Sequence, residues 1–334
     1  KQAITSPGLP EWLQEQDISL VLSTYRANRL IFIGRDHDSN LKLEERLFDR
    51  PMGLFVSKQS IWMAGRSHIW RIDNLLGKDG EHEGADNIYV PSASFLTGEV
   101  NAHELVITTD NEPLFVNTVF SCLATIKPGC SFQPIWKPSF IDALVAEDRC
   151  HLNGIAMKDD IPTWATACSS KNETTSWRRE RIGNGIVIHI PSDEIACSGL
   201  TMPHSPRWHN KKLWLLNSGT GDLGWVENNQ FQPICQLPGF ARGLAFHNNF
   251  ALVGLSKLRS RVFTGLPLEQ RLLTSQENPQ GICGLQVIDL NNGKIIQSIH
   301  LPEPIDELFD LAVLPGVRQP RMVSLTDENL DTLV

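Results

Sequence analysis

Three histidines stand at the start of apolar runs: "AHELVI" at 102–107, "CHLNGIAM" at 150–157 and "PHSPRW" at 203–208. Neutral imidazoles bind transition metals, and three of them with an open fourth position form the donor set of a catalytic Zn²⁺ site. His103, His151 and His204 are therefore the candidate ligands of a divalent metal, with zinc the first choice. Such an ion polarises a carbonyl or lowers the pKa of a bound water toward about 7. Arg242 would clamp a carboxylate or steady a developing oxyanion. Glu104 and Asp310 would orient an imidazole or accept a proton, although Asp310 equally suits a turn cap. Asn153, Met52 and Phe309 fall at equivalent places and complete the expected substrate lining.

The elements that must position these residues form a repeat. Six segments share one pattern, a short apolar strand, a polar turn and a second apolar strand: 51–65, 102–118, 151–167, 203–219, 241–257 and 309–325. Their turns carry Asn, Asp, Lys, Gly and Pro, the residues of tight connections. Successive starts fall near 52, 103, 153, 204, 242 and 309. A spacing of about 50 residues suits a four-stranded propeller blade. It disfavours two stacked sandwiches.

Residues 18–36 and 41–48 supply strands without an opening strand of their own, so they should complete the blade that opens near 309. The expectation is an all-β, six-bladed β-propeller over residues 1–334, closed by joining the two ends of the chain. Trp62, Trp164 and Trp214 lie in second strands, where they would wedge between blades. Helical periodicity is confined to 9–16 and 266–273.

Two insertions interrupt the repeat: 169–185, with Arg178, Arg179 and Arg181, and 256–281. As polar excursions they read as solvated surface. As loops on a rigid scaffold they would form a partial lid whose arginines draw in an anionic substrate. His209 and His247 fall in or near turns and are expected to face solvent. Ser205 lacks the G-x-S-x-G elbow of a nucleophile, and "GTGDLG" at 219–224 is not followed by a helix pattern.

The formal charge of −8 argues against a nucleic-acid partner held by phosphate contacts, which would need a basic face. No run is long enough to span a bilayer. No basic-then-apolar leader is visible, and the seven scattered cysteines include no Cys-x-x-Cys pair. They read as reduced core thiols of a cytoplasmic protein.

The runs "LNGIAM", "MPHSPRWHNKKLWLLNSGTGDLG", "LPGFARGLAFH" and "VGLSK" resemble a bacterial family of conserved hypothetical proteins of unknown function. That resemblance spans nearly the whole chain and implies a propeller. It implies no activity and no site residues. Two functions compete on the residues alone. One is a metal-dependent lyase or hydrolase acting on a small carboxylated or peptide-like molecule at the channel mouth. The other is a non-catalytic propeller that binds a protein or peptide.

Overall fold

A computed structural model describes residues 3–77, 79–258, 264–275 and 278–323. Alternating apolar strands joined by tight turns form six sheets, each built on four antiparallel strands and two of them extended by a fifth, the blades of a β-propeller. The turns follow from their residues. Asp159 with Asp160, Asn210 with Lys211, and Asn228 with Asn229 all take positive φ, the paired left-handed geometry of two-residue hairpins.

The inner strands are Leu54–Ser57, Ala102–Ile107, Leu152–Lys158, Pro203–His209, Phe240–His247 and Asp310–Pro315, each at its expected place. Blades one to six are numbered in that order. Closure also follows the expectation. The sixth blade takes its inner strand from the C-terminal region and its other three, Ile18–Thr24, Arg29–Arg35 and Leu41–Leu47, from the N-terminal region. Leu22 pairs with Leu311 across that seam. Ile4–Thr5 extends the outer edge of the fifth blade, and Pro320–Met322 runs parallel to Asn87–Leu96 on the first. The terminal segments thus tie three blades together and cover two sheet edges.

The core lies between blades. Trp62 packs with Phe115 of the second blade, and Trp214 with Leu244 and Val253 of the fifth. Trp164 stacks on Trp208 of the next blade at 5.0 Å. The expected wedges are therefore present. Leu9–Gln16 and Pro267–Ser275 are the two α-helices among the described residues. Leu9, Trp12 and Leu13 of the first seal the fifth and sixth blades. No helix among the described residues is long and apolar enough to cross a membrane.

The described residues of the two insertions are mostly solvent-exposed, Arg178 and Arg179 among them, but each insertion is anchored by buried apolar residues. Trp177 of the first and Leu266, Leu268 and Leu272 of the second are buried in one cluster with Cys168, Met202 and Phe240. Their apolar residues, sparse in sequence, find each other over one end of the axis. Residues 259–263 and 276–277 of the second insertion lie outside the described residues.

Candidate functional site

At the entry of each inner strand the register slips by a β-bulge in blades two to five. A bulge adds a residue and re-aims the side chains around it. His103, Asn153, His204, Arg242 and Phe309 consequently line one enclosed space at the hub, together with Glu104, Ser205 and Asp310. Met52, the sixth equivalent residue, packs instead in the apolar cluster of Trp62 and Phe309. The enclosed space measures about 10 Å³, room for roughly one water.

The next residue in each strand alternates around the axis. In blades one, three and five it is Gly53, Gly154 and Gly243, and in the others it is Glu104, Ser205 and Asp310. Each of the latter accepts a backbone N–H from the following blade. Glu104 Oε2 accepts from Ile155 at 2.9 Å, Ser205 Oγ from Gly243 at 3.0 Å, and Asp310 Oδ2 from Leu54 at 2.8 Å. The glycines permit this approach. A Cβ on Gly53 would lie 2.8 Å from Glu104 Cα, and one on Gly243 would lie 2.9 Å from Asp310 Cα.

The three imidazoles are held in one tautomer. His103 Nδ1 lies 2.9 Å from the Asn101 carbonyl, His204 Nδ1 lies 2.9 Å from the Met202 carbonyl, and His151 Nδ1 lies 3.0 Å from the Asp148 carboxylate. Those oxygens accept, so each Nδ1 carries a hydrogen, and in His103 and His204, which burial keeps neutral, Nε2 keeps its lone pair. Hydroxyls reinforce the choice. Thr118 Oγ donates to the Leu152 carbonyl of the next blade and accepts from His103 Nδ1 at 2.7 Å. Ser218 does the same for the Ala241 carbonyl and His204. His151 itself has a left-handed backbone, φ 51°, which turns its ring beside that of His103, with centroids 4.8 Å apart. Burial holds His103 and His204 well below the ordinary imidazole value, and the Arg242 charge pushes in the same direction.

Arg242 is the cation of the hub. Its Nη2 lies 3.4 Å from His204 Nε2, and its guanidinium sits 4.5 Å from the centroid of the Phe309 ring. Below it Arg207 bonds the buried Glu104 carboxylate, and its Nη2 comes 3.9 Å from Asp310 Oδ1. Burial pushes both carboxyls up from their ordinary values, against the pull of Arg207. Above the ring, Trp177 lies on His151 with centroids 3.8 Å apart.

His103 and His204 line the shared space, while His151, expected to converge there with them, is not among its lining residues and lies with its ring beside that of His103. Their Nε2 lone pairs are the type of donor a metal takes. As arranged, however, they do not fit one: among the described residues no three His, Cys, Asp or Glu side chains could hold an ion. The guanidinium of Arg242 is the positive charge the rings face. Glu104 and Asp310 do not orient an imidazole, as expected of them; they bond backbone N–H groups and flank Arg207. Asp148, Thr118 and Ser218 supply the orientation instead. Asp148 had a signal, since it precedes His151 by three residues. Arg207 and Trp177 had none that strand periodicity could show.

No curated protein sequence matches the chain. Among solved structures, a chain of a nidogen/laminin complex is 10% identical, with a TM-score of 0.55 over 90% of this chain and 98% of that one. A virginiamycin B lyase from Staphylococcus aureus is 17% identical over 71% and 73%, with a TM-score of 0.43. A gluconolactonase from Xanthomonas campestris is 8% identical over 86% of each chain, with a TM-score of 0.49. The likeness is one of fold. Residues 7–323 match the family described as "Domain of unknown function (DUF4915)", and the chain belongs to that family.

Proposed function

We propose that the capped end of the axis binds a small carboxylated or peptide-like molecule and acts on it as a lyase or hydrolase. The observation that supports this most is the set of three imidazoles with Nδ1 engaged, beside a partly exposed arginine whose Nη2 lies 3.4 Å from His204 Nε2. Arg242 receives the carboxylate, and the Nε2 lone pairs accept N–H or O–H groups of the ligand. His151, with Asp148 behind its Nδ1, has the build of an oriented proton acceptor. The near-filled hub requires Trp177 and Arg242 to yield before a substrate enters. That same closeness favours the second reading, a non-catalytic propeller whose hub serves only to join blades.

Ring-nitrogen spectra of ¹⁵N-histidine protein distinguish these readings. Succinate or glycylglycine should shift Nε2 signals of the three histidines in the native chain and not in Arg242→Gln. Equal response in the variant, or none in either, sinks the proposal and leaves the non-catalytic reading. If Zn²⁺ alone, at one equivalent, shifted all three Nε2 signals together, the metal expectation would stand in place of the arginine clamp.

A further inference from the structure

At the opposite end of the axis the inner strands open into a bowl of about 650 Å³. Its wall takes residues from every blade beyond the hub, among them Phe55, Val106, Met157, Trp208, Phe246 and Val313. The volume falls in the range of about 300–1,000 Å³ typical of small-molecule pockets, and the lining has their apolar character. Nothing in the proposed hub chemistry uses this space.

The two full charges among the bowl's lining residues, Arg207 and Lys58, are both positive. Arg207 lies at its inner end, Lys58 stands in a hairpin turn at its rim, His247 ends the strand Phe240–His247, and no Asp or Glu is among its lining residues. In a chain of net charge −8 that is a marked local bias. Arg207 is also fixed in place. Nη1 bonds Glu104 and the Pro206 carbonyl, Nη2 lies 3.9 Å from Asp310, and 24% of the side chain stays exposed. A guanidinium anchored from behind by carboxylates presents its remaining N–H donors without losing rotamer freedom on binding.

We infer that the bowl binds an anionic amphiphile, a monocarboxylate with an aliphatic or aromatic body. Its carboxylate meets Arg207 and its body lies against the apolar ring. Burial already favours the protonated forms of Glu104 and Asp310, so the triad can take up a proton when a second anion approaches the arginine.

Calorimetric titration of the full chain with decanoate, decanol and decylammonium, each below its micelle concentration, tests this. Decanoate should bind at least about tenfold more tightly than decylammonium. Ala245→Trp, which fills the bowl from the fifth blade, should weaken decanoate and decanol alike by about tenfold or more. Arg207→Met should weaken decanoate by a similar factor and leave decanol unchanged. Decylammonium binding as tightly as decanoate would overturn the inference, as would decanoate binding unaltered by Ala245→Trp, or none at all. If Arg207→Met fails to fold, the head-group comparison and Ala245→Trp decide alone. The head-group comparison and Ala245→Trp do not touch the hub, so their outcome is independent of the hub reading, whereas Arg207→Met also removes the partner of the hub-lining Glu104.

Discussion

The indole of Trp177 lies on the imidazole of His151, with planes 24° apart and centroids 3.8 Å apart. Arg178 continues the stack, its guanidinium 4.5 Å from the centroid of the indole. One connection between blade strands thus reaches back over the hub and closes it, held by the apolar cluster it shares with Leu266, Leu268 and Leu272.

Trp177→Ala should uncover that histidine. The loss of packing should cost about 2–4 kcal/mol, toward the lower part of the range for buried aromatics because the site is a cap with solvent on one side. Modification by diethyl pyrocarbonate should gain a fast histidine, at least about tenfold quicker than in the native chain, and His151→Gln in the same background should abolish it. An unchanged modification rate would mean that Trp177 does not control access.

The hydroxyl latches offer a second test. Thr118 Oγ donates to Leu152 O at 2.6 Å and Ser218 Oγ donates to Ala241 O at 2.6 Å, while each accepts from a histidine Nδ1. Thr118→Val and Ser218→Ala each leave a buried carbonyl without this donor, so each should cost about 1–3 kcal/mol in urea unfolding. They belong to different blades and should add nearly in full. Losses under about 0.5 kcal/mol would show that relaxation or water replaces the bond.

The ring at the axis shows what sequence carries and what it withholds. The triplets Met52-Gly53-Leu54, His103-Glu104-Leu105, Asn153-Gly154-Ile155, Arg242-Gly243-Leu244 and Phe309-Asp310-Leu311 align by eye, and they located the inner strands and the hub. The alternation of glycine with an acceptor side chain was present in the same lines. Its meaning needed the blades side by side. The bulges were not readable, because one inserted residue flips the facing of every side chain beyond it. Arg207 therefore had no visible direction, although it separates the hub from the bowl. Trp177 sits in a polar run whose composition reads as solvated, and only the folded chain brings it to His151. The three histidines were legible as a set, but the cation among them depends on where Arg242 points.

Gly154→Ala tests the close approach of blades three and four. The added Cβ would lie 2.3 Å from Pro206 Cδ and 2.3 Å from Thr166 Oγ1. The proline cannot rotate away, so the blades must part, at a cost of about 1–3 kcal/mol or more. Gly77→Ala is the control, since nothing stands within 4 Å of its Cβ position. Equal denaturation midpoints for the two variants would show that the ring at the axis is loosely packed.

Two buried pairs bend the pH dependence of stability in opposite directions. His103 and His204 are held well below 6.5, by burial first and then by neighbouring His151 and Arg242. The unfolded chain takes up protons at the ordinary value while the folded chain does not. Their neutral forms therefore support the fold fully above about pH 6.5, and that support is lost as the pH falls below it. Glu104 and Asp310 act with the other sign. Burial raises both above the ordinary 4.5 and 3.8, so their contribution is complete below those values and is lost as the pH rises through the folded values. Between about pH 4 and 6.5 the two effects oppose each other, and the native chain should show a shallow profile there. Removing one pair should expose the other. The double variant His103→Gln, His204→Gln should lose less stability than the native chain between about pH 7 and pH 5, read as the shift in urea midpoint. An equal acid loss in both chains would mean that these imidazoles take up protons in the folded state, and the hub would then not be the neutral-histidine site on which the arginine clamp depends.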